Sequence, residues 1–310
     1  MSIKDGLKAY GFLGVGVFTL GWSAILIRFA EASPLAIAAY RMLGAALVLL
    51  PFSAGSIVAL WRGLAPRERW IWMASSVFLA LHFALWIESL RHTSVASSVV
   101  LVTTNPIFAG VGGWLFLGDK EERFFWAGVG VTIGGALLLV WGDAGASATA
   151  ATGDWSGTLL GSLLRGSLES LLGNALALGG AVMASGYLLC GRALRRNMPL
   201  IPYVTVCYGV SGTILILAAF LAAQPLSGYS PSTWSLLAAM VLGPTLIGHT
   251  AVNWALKHMP PGKVALSILG EPVVAAVLAW WLLAEPLGGM RALACAIILA
   301  GIAWGASSRK

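Results

Sequence analysis

Histidine and asparagine occur inside long apolar stretches of the chain, where a polar side chain is costly and is therefore a candidate for function. His82 and Trp86 lie four residues apart, and so do His249 and Asn253, so each pair falls on one face of a helix. Such side chains bind either a neighbouring helix or a ligand. We weigh these two roles equally for His249, and we favour ligand binding for His82 and Asn253.

Two dipeptides place a proline after a polar residue deep inside an apolar stretch, Asn105-Pro106 and Glu271-Pro272. Each lies about 14 to 16 Å from the start of its stretch, near the middle of a bilayer. Proline frees a backbone carbonyl there and kinks the helix. We expect a largely neutral Glu271 carboxyl that satisfies this carbonyl, with proton or ammonium binding as the alternative, whereas Asn105 cannot titrate.

Enzyme motifs are missing from the sequence. It has no HExxH, GxSxG, P-loop or GxGxxG pattern, so an intramembrane enzyme is disfavoured. The three cysteines form no CxxC pair and indicate neither a disulfide framework nor a metal site, and we expect no cofactor. A channel is also disfavoured, because no ring of like charges and no carbonyl filter can be read from the sequence.

The composition is that of a membrane protein. Hydrophobic residues make up 58% of the 310-residue chain and charged residues only 10%, against roughly 25% in soluble domains. The 38 glycines and 14 tryptophans favour closely packed helices in lipid. Ten stretches are long enough to cross a bilayer as helices. We number them spans 1 to 10, at residues 10–30, 34–54, 70–90, 94–117, 124–142, 173–191, 200–223, 234–256, 262–283 and 288–306.

Lysine and arginine are distributed unevenly over the connections between the spans. Fourteen of the 19 lie on the side of the membrane that carries both chain ends, four lie on the other side, and Arg41 lies within span 2. Positive residues accumulate on the cytoplasmic side of membrane proteins. The sequence therefore predicts a multi-pass protein of the bacterial inner membrane with both termini in the cytoplasm. The net charge of +7 then reflects topology, and no nucleic-acid partner is expected.

The chain contains an internal repeat. A shift of 166 residues aligns identical residues of the two halves, and a shift of 165 places Pro34-Leu35 on Pro199-Leu200. The aligned residues of the first half are Leu90, His92, Pro106, Ala109, Val111, Trp114, Leu117 and Gly135. Because each copy has five spans, an odd number, the second copy enters the membrane from the opposite side. This predicts an inverted repeat, which is typical of secondary transporters.

The repeat divides the chain into a first five-span unit at residues 1–142, a linker at 143–172 and a second, inverted unit at 173–310. In the linker, Leu160, Leu164, Leu168 and Leu171 form a helical apolar stripe. The stripe predicts an interfacial helix or an extension of span 6.

Glycines spaced four apart indicate two small-residue packing faces, Gly130 with Gly134 on span 5 and Gly301 with Gly305 on span 10. We expect both faces to pack within the chain and the protein to be a monomer, with a homodimer through these spans as the alternative. Arg41 would reach the outer interface or pair with a helix end, and we favour such a structural role.

Three motifs resemble the EamA-type repeats of the drug/metabolite transporter superfamily. They are Pro34-Leu-Ala-Ile-Ala-Ala-Tyr-Arg41, Asn105-Pro106 followed by Trp114-Leu-Phe-Leu-Gly-Asp119, and Pro261-Gly-Lys-Val-Ala-Leu-Ser-Ile-Leu-Gly-Glu271-Pro272 followed by Trp280-Trp-Leu-Leu-Ala-Glu285-Pro286. The resemblance implies an all-α membrane protein with ten transmembrane helices, in which spans 1 to 4 and 6 to 9 surround a central cavity and spans 5 and 10 are peripheral. Within the superfamily, the chain is most similar to exporters of aromatic amino acids.

The resemblance places Trp22 of span 1 and Tyr187 of span 6, which occupy matching positions in the two halves, on helices around the cavity. Together with Met183, His82 and Asn253 they would hold an apolar side chain and offer a few polar groups to a zwitterion. We therefore favour export of neutral, aromatic or large apolar amino acids by alternating access. The alternative is a carrier of another small metabolite or a drug-like amine, and sugar phosphates are disfavoured because only one arginine lies within a span.

Overall fold

The computed structural model describes residues 3–93, 95–151, 168–284 and 288–307, and in this part the chain is helical throughout, without a β-strand. Eight helices are long and apolar enough to cross a membrane, and two shorter apolar helices lie at spans 4 and 5. The all-α membrane fold with ten spans is confirmed. The helices are Ile3–Phe29, Pro34–Gly63, Pro66–His92, Val95–Val102, Asn105–Leu117, Arg123–Ala151, Leu168–Arg195, Leu200–Leu221, Pro231–Met240, the π-helix Val241–His249, Thr250–His258, Pro261–Ile268, Glu271–Leu283 and Gly289–Ala306.

Local sequence signals begin and end the helices. Ser33 caps span 2, where its side chain accepts a hydrogen bond from the Ala36 backbone at 3.4 Å, and a proline follows at the first helical position. Ser230 caps span 8 in the same way, with the Thr233 backbone as donor at 3.3 Å. Span 4 ends at Gly118, which has a φ of 70°, a conformation that favours glycine. These signals keep most connections short.

Spans 4 and 9 each consist of two half-helices. Span 4 is interrupted between Val102 and Asn105, and span 9 between Ile268 and Glu271. In each case the second half-helix begins with the polar residue and carries proline at its next position, where the missing N–H breaks no helical hydrogen bond. Span 8 is instead continuous from Pro231 to His258, with a π-helix in its middle.

The structure describes helical residues at both ends of the predicted linker. The helix of span 5 continues to Ala151, and the helix of span 6 already begins at Leu168, so helices enter the segment 143–172 from both sides. The start at Leu168 agrees with an extension of span 6. The remaining part of the predicted stripe, with Leu160 and Leu164, lies outside the described residues.

The spans pack in pairs that the two halves share. Span 3 lies along span 6, and its counterpart span 8 lies along span 1. Span 2 packs against span 7, span 4 against span 9 and span 5 against span 10, so each of these three pairs joins two equivalent spans. This is the arrangement that an inverted repeat with a pseudo-twofold axis in the membrane plane produces.

Spans 5 and 10 meet through glycines at the edge of the bundle. A side chain at Gly128 would clash with the backbone of Gly301 and Gly305, so the two helices approach closely. The expected face on span 10 is therefore confirmed. The expected face on span 5 is wrong, because Gly130 and Gly134 have no atom near their Cβ positions and point away from span 10. The glycine of span 5 that contacts span 10 is instead Gly128. Gly130 lies on another face of the helix, because the α-helix makes one turn every 3.6 residues.

Both ends of the chain lie on the same face of the bundle, because the Tyr10 hydroxyl near the start of span 1 donates a hydrogen bond to the Ala306 carbonyl at the end of span 10, at 3.3 Å. We call this the termini face and the other end the opposite face. Large apolar side chains, including Phe52, Phe116 and Leu221, are exposed on the outside of the bundle between the two faces. That surface suits contact with lipid.

Candidate functional site

A polar cluster lies in the interior of the bundle, where spans 2, 3, 6 and 8 approach one another. Contacts connect five of the predicted site residues and place Arg41 beside them, namely His82, Trp86, Tyr187, His249 and Asn253. The breaks in spans 4 and 9 lie at intermediate depth as well. Irregular backbone at such depth is tolerated where protein or a cavity surrounds it, which makes this region a site candidate.

His82 and Trp86 face span 6. Their rings are parallel within 4°, with centroids 6.3 Å apart. The His82 Nδ1 donates a hydrogen bond to the Gly180 carbonyl at 2.9 Å, because a carbonyl can only accept, and this leaves Nε2 as an acceptor in the neutral ring. Spans 3 and 6 are in van der Waals contact here, since the Cβ position of Gly180 is 3.4 Å from the Trp86 backbone. The Trp86 indole N–H is buried without a hydrogen-bond partner among the described residues.

Asn253 joins span 8 to span 6. This wholly buried residue donates a hydrogen bond to the Tyr187 hydroxyl at 2.5 Å and another to the His249 carbonyl at 2.7 Å. Its side-chain oxygen has no hydrogen-bond partner in the part of the chain that the structure describes. The His249 ring meets the Phe83 ring edge-on, with centroids 6.0 Å apart. Phe83 follows His82 directly, so these contacts connect the two predicted pairs into one elongated cluster along the bundle axis.

Arg41 was not expected in the cluster. Its side chain is only 4% exposed, so it does not reach an interface as the sequence analysis allowed. The Nε donates a hydrogen bond to the Thr245 hydroxyl of the π-helix at 3.4 Å, and the guanidinium carbon lies 5.9 Å from the centre of the Phe83 ring. The signal that could have identified this residue was its depth within a predicted span, because the other lysines and arginines lie near span ends or in the connections.

Glu271 begins the second half-helix of span 9. Its carboxylate accepts no hydrogen bond from the described part of the chain. Asn105, at the equivalent position of span 4, has its backbone carbonyl bound by the Ser185 hydroxyl at 3.1 Å.

Trp22 and Met183 are less closely involved. Both are half-buried on spans 1 and 6, and within the described residues neither makes a hydrogen bond or a ring contact with the other predicted site residues. Pro106 is buried at the break of span 4, and Pro272 is half-buried at the break of span 9. The assignment of these four residues to the candidate site therefore rests on their positions along the spans and not on a contact with the cluster.

Several polar atoms in the interior of the spans are buried without a hydrogen-bond partner among the described residues. Most buried polar groups in proteins are paired, and an unpaired group inside a bilayer costs several kcal/mol. Such unpaired atoms are candidates for contact with a ligand that supplies the missing partners. They are the Ser23 hydroxyl, the Trp86 indole nitrogen and the side-chain oxygens of Asn105 and Asn253.

Ionic contacts close the termini face. Asp119, between spans 4 and 5, binds Arg192 and Arg196 at the end of span 6, each at 3.0 Å. Arg192 also donates to the Leu256 and Lys257 carbonyls at the end of span 8, at 2.9 and 3.0 Å. Asp119, in the first half of the chain, thus binds span 6 directly and is linked to span 8 through Arg192. Both of these spans belong to the second half.

Glu121 lies beside this ionic cluster, close to Gly262 at the start of span 9. Burial raises the pKa of its carboxyl to about 7, although the nearby Lys263 ammonium acts in the opposite direction, and the negative charge of Asp119 adds to the increase. One carboxyl oxygen is buried without a partner. This carboxyl therefore changes charge near neutral pH, on the termini face.

Two further features do not take part in the cluster. An apolar groove of about 500 Å³ opens between spans 2 and 7, and no predicted site residue lines it. Among the described residues, no group of three His, Cys, Asp or Glu side chains is placed to hold a metal ion.

A family model described as the EamA-like transporter family matches residues 7–141 and 171–305 of the chain. A crystal structure that is 17% identical superposes with a TM-score of 0.76 over 97% of both chains, which shows the fold alone. The Bacillus subtilis protein named uncharacterized transporter YwfM is 24% identical over 293 residues, 88% of this chain and 84% of its own.

Two relatives carry more specific names. The probable 4-amino-4-deoxy-L-arabinose-phosphoundecaprenol flippase subunit ArnE of Hamiltonella defensa is 31% identical over 80 residues, 26% of this chain and 72% of its own. A riboflavin transporter of Rhizobium johnstonii is 30% identical over 125 residues, 39% of each chain. The named functions all concern transport or lipid translocation across membranes, and they differ in substrate.

Proposed function

The chain belongs to the EamA-like transporter family, and from this premise we propose that it exports neutral amino acids with aromatic or large apolar side chains. The carrier lies in the bacterial inner membrane with both termini in the cytoplasm, as the fourteen positive residues on the termini side predict. Substrate would enter from the termini face and leave at the opposite face.

The observation that carries this proposal is the group of unpaired polar atoms among aromatic rings. The Trp86 N–H offers a donor, and the Asn105 and Asn253 oxygens offer acceptors. Such isolated groups suit the carboxylate and ammonium of a zwitterion. The rings of Trp86, Phe83 and Tyr187 suit an apolar or aromatic side chain.

The packing of the two halves supports alternating access. The ionic contacts of Asp119 hold the termini face together through spans 4, 6 and 8. Both half-helices of span 4 and the first half-helix of span 9 pack against span 6. Rocking of one half against the other, with rupture of the Asp119 contacts, would expose the cluster to the cytoplasm. The opposite movement would expose it to the other side.

A carrier for another small metabolite or a drug-like amine remains the alternative. It is favoured by the relatives named riboflavin transporter and flippase subunit, whose substrates are not amino acids. The aromatic rings of the cluster would also accept a planar ring system by stacking. The low number of basic groups in the spans argues against substrates with two phosphate charges.

Uptake into proteoliposomes tests the proposed substrate. The purified protein would be reconstituted and supplied with a panel of labelled amino acids and with labelled riboflavin, with and without an imposed pH gradient. We expect uptake of phenylalanine, tryptophan or leucine above empty liposomes, and a pH dependence if protons are coupled. Uptake of riboflavin without any amino acid would favour the alternative, and no amino-acid uptake would overturn the proposal.

A further inference from the structure

The connection between spans 4 and 5 contacts the start of span 9, so the two halves of the chain meet at the termini face. A Cβ atom at Gly262 of span 9 would lie only 2.6 Å from the Glu121 Oε1. The same position is 2.9 Å from the ring of Phe125 and 3.1 Å from the Cα of Gly110 on span 4. The Glu121 carboxyl of the first half therefore packs directly on the backbone of the second half.

This contact solvates the Glu121 carboxyl poorly. The backbone N–H of Lys263 donates a hydrogen bond to the carboxyl, but the Oε1 is buried and has no hydrogen-bond partner among the described residues. An ionised carboxylate offers about four acceptor sites, so an unpaired oxygen beside a phenyl ring favours the neutral form. In agreement with this geometry, burial raises the pKa of the carboxyl to about 7.

The neighbouring charges act on the carboxyl in both directions. The titratable and charged groups that face it are Lys263 of span 9, Asp119 and Glu122 of the same connection, and Tyr10 of span 1. The Lys263 ammonium favours the ionised carboxylate, whereas the charges of Asp119 and Glu122 favour the neutral form. The Tyr10 hydroxyl carries its proton, because it donates to the Ala306 carbonyl. Burial between the two halves outweighs the ammonium.

Opening of the termini face would change this environment. It would separate the connection from the start of span 9 and expose the Glu121 carboxyl to water, where an ordinary glutamate is ionised at neutral pH. The closed face therefore binds the proton more tightly than the open face. Linkage is reciprocal, so a proton bound at this carboxyl must favour the closed face by the same factor.

Resting on the alternating-access carrier proposed above, we propose that Glu121 is a proton-binding site that controls the termini face. The protonated carboxyl stabilises the closed face, and release of the proton to the cytoplasm favours opening toward the substrate. The 166-residue shift aligns Glu121 with Leu287, which cannot titrate, so the repeat does not place a second site of this kind on the opposite face. The proton binds and leaves on one side, which makes Glu121 a sensor of cytoplasmic pH.

The size of the effect follows from the proton affinities of the two states. The pKa is about 7 with the face closed and 4.5 for an unperturbed carboxyl, which represents the open face. The stabilisation of the closed face is complete below pH 4.5, where both states are protonated, and it is lost as the pH rises through 7. Between pH 6 and pH 8 the ratio of open to closed protein should rise by about tenfold.

The rate at which a buried thiol is modified reports this ratio without any substrate. Ala265 suits the thiol, because it is 1% exposed and lies three residues beyond Gly262 on span 9. Ala265→Cys would be introduced with the native cysteines replaced, and a water-soluble methanethiosulfonate would be added to the protein in lipid nanodiscs. Three proteins would be compared from pH 6 to pH 8, one with no further change, one with Glu121→Gln and one with Glu122→Gln as the matched control.

Ratios of rates at the same pH cancel the ionisation of the thiol itself. We expect the rate with native Glu121, divided by the rate in Glu121→Gln, to rise by about tenfold from pH 6 to pH 8, because the amide cannot release a proton. The same ratio for Glu122→Gln should change by less than about twofold. A ratio for Glu121→Gln that stays constant or falls would overturn the proposal, and an equal rise for Glu122→Gln would overturn the assignment to Glu121.

Failure of the proposed function has a different signature. If the thiol is modified at no pH in any of the three proteins, the termini face does not open, and alternating access fails together with the proton site. If the thiol is modified and the ratios do not depend on pH, only the proton site fails. Should Glu121→Gln not fold, Glu121→Ala also removes the titratable group and carries the same expectation.

Discussion

Trp86 illustrates how a single residue acquires a role from its surroundings. Its ring is held parallel to His82, and its buried indole N–H has no partner among the described residues. A ligand acceptor would restore this hydrogen bond. The residue therefore offers both a ring surface and one unpaired donor to a substrate.

The first prediction concerns this tryptophan. Trp86→Ala should raise the KM for transported phenylalanine by at least about tenfold, because a ring contact and a buried hydrogen bond are both lost. Trp281→Ala is the matched control, since Trp281 is 68% exposed on the outside of span 9 and should change KM less than about twofold. Initial uptake rates in proteoliposomes at matched protein density measure both. Equal effects of the two variants would contradict the placement of the site.

The second prediction concerns pH. The pKa of Glu121 is about 7 in the folded protein against 4.5 for the unperturbed carboxyl. The folded state therefore retains this proton up to higher pH than the unfolded state, so stability from this group is present below pH 4.5 and is lost as pH rises through 7. Thermal unfolding in detergent should show a falling Tm between pH 5 and pH 7.5.

Glu121→Gln should flatten that dependence, because the amide resembles the protonated carboxyl and does not titrate. Glu68→Gln, at the exposed start of span 3, provides the control and should leave the slope unchanged. A wild-type slope that survives in Glu121→Gln would assign the pH dependence to another group.

At the scale of single residues, the sequence predicted which residue types are candidates for the site but not all of the contacts that they make. His82 and Asn253 could be identified as candidates because they are polar residues within apolar spans, where a polar side chain is costly. Arg41 was assigned to an interface because depth along one helix does not reveal which neighbour it meets.

At the scale of elements, prolines decided where helices break. The breaks at Asn105-Pro106 and Glu271-Pro272 could be predicted, because proline removes an N–H in mid-span and the polar residue marks the break. The π-helix Val241–His249 could not, since Pro244 there is accommodated by wider hydrogen bonding instead of a break. The sequence contains no signal that separates these two responses to proline.

The third prediction tests the break in span 9. Pro272→Ala would let the two half-helices join, so we expect the maximal exchange rate to fall by about tenfold while binding of phenylalanine changes less than about threefold. Pro51→Ala provides the control, because Pro51 is exposed within the unbroken helix of span 2. Loss of binding with an unchanged rate would show that the break shapes the site and does not act as a hinge.

At the scale of the whole molecule, the internal repeat determined most of the architecture. The alignment of the two halves and the odd number of spans predicted the inverted arrangement, and the pairs of packed spans follow it. The glycine face of span 5 was placed wrongly, because the sequence offers several small-residue spacings and only packing selects the one in contact.

The fourth prediction is the orientation of the molecule. In cells with the native cysteines replaced, a membrane-impermeant thiol reagent should label Ser227→Cys, which is exposed on the opposite face, and should not label Arg67→Cys on the termini face. Permeabilised cells provide the control, in which both positions should react. Labelling of Arg67→Cys alone in intact cells would place the termini outside.

Counterflow tests the central claim, a carrier of neutral aromatic or large apolar amino acids, most directly. Proteoliposomes are loaded with unlabelled phenylalanine and diluted into a trace of the labelled amino acid. An alternating-access carrier exchanges one molecule for another, so the label should accumulate transiently inside above its external concentration. Liposomes loaded with buffer, or lacking the protein, should show no such accumulation. Equilibration without an overshoot would contradict a carrier mechanism, and no entry of phenylalanine, tryptophan or leucine would contradict the proposed substrate.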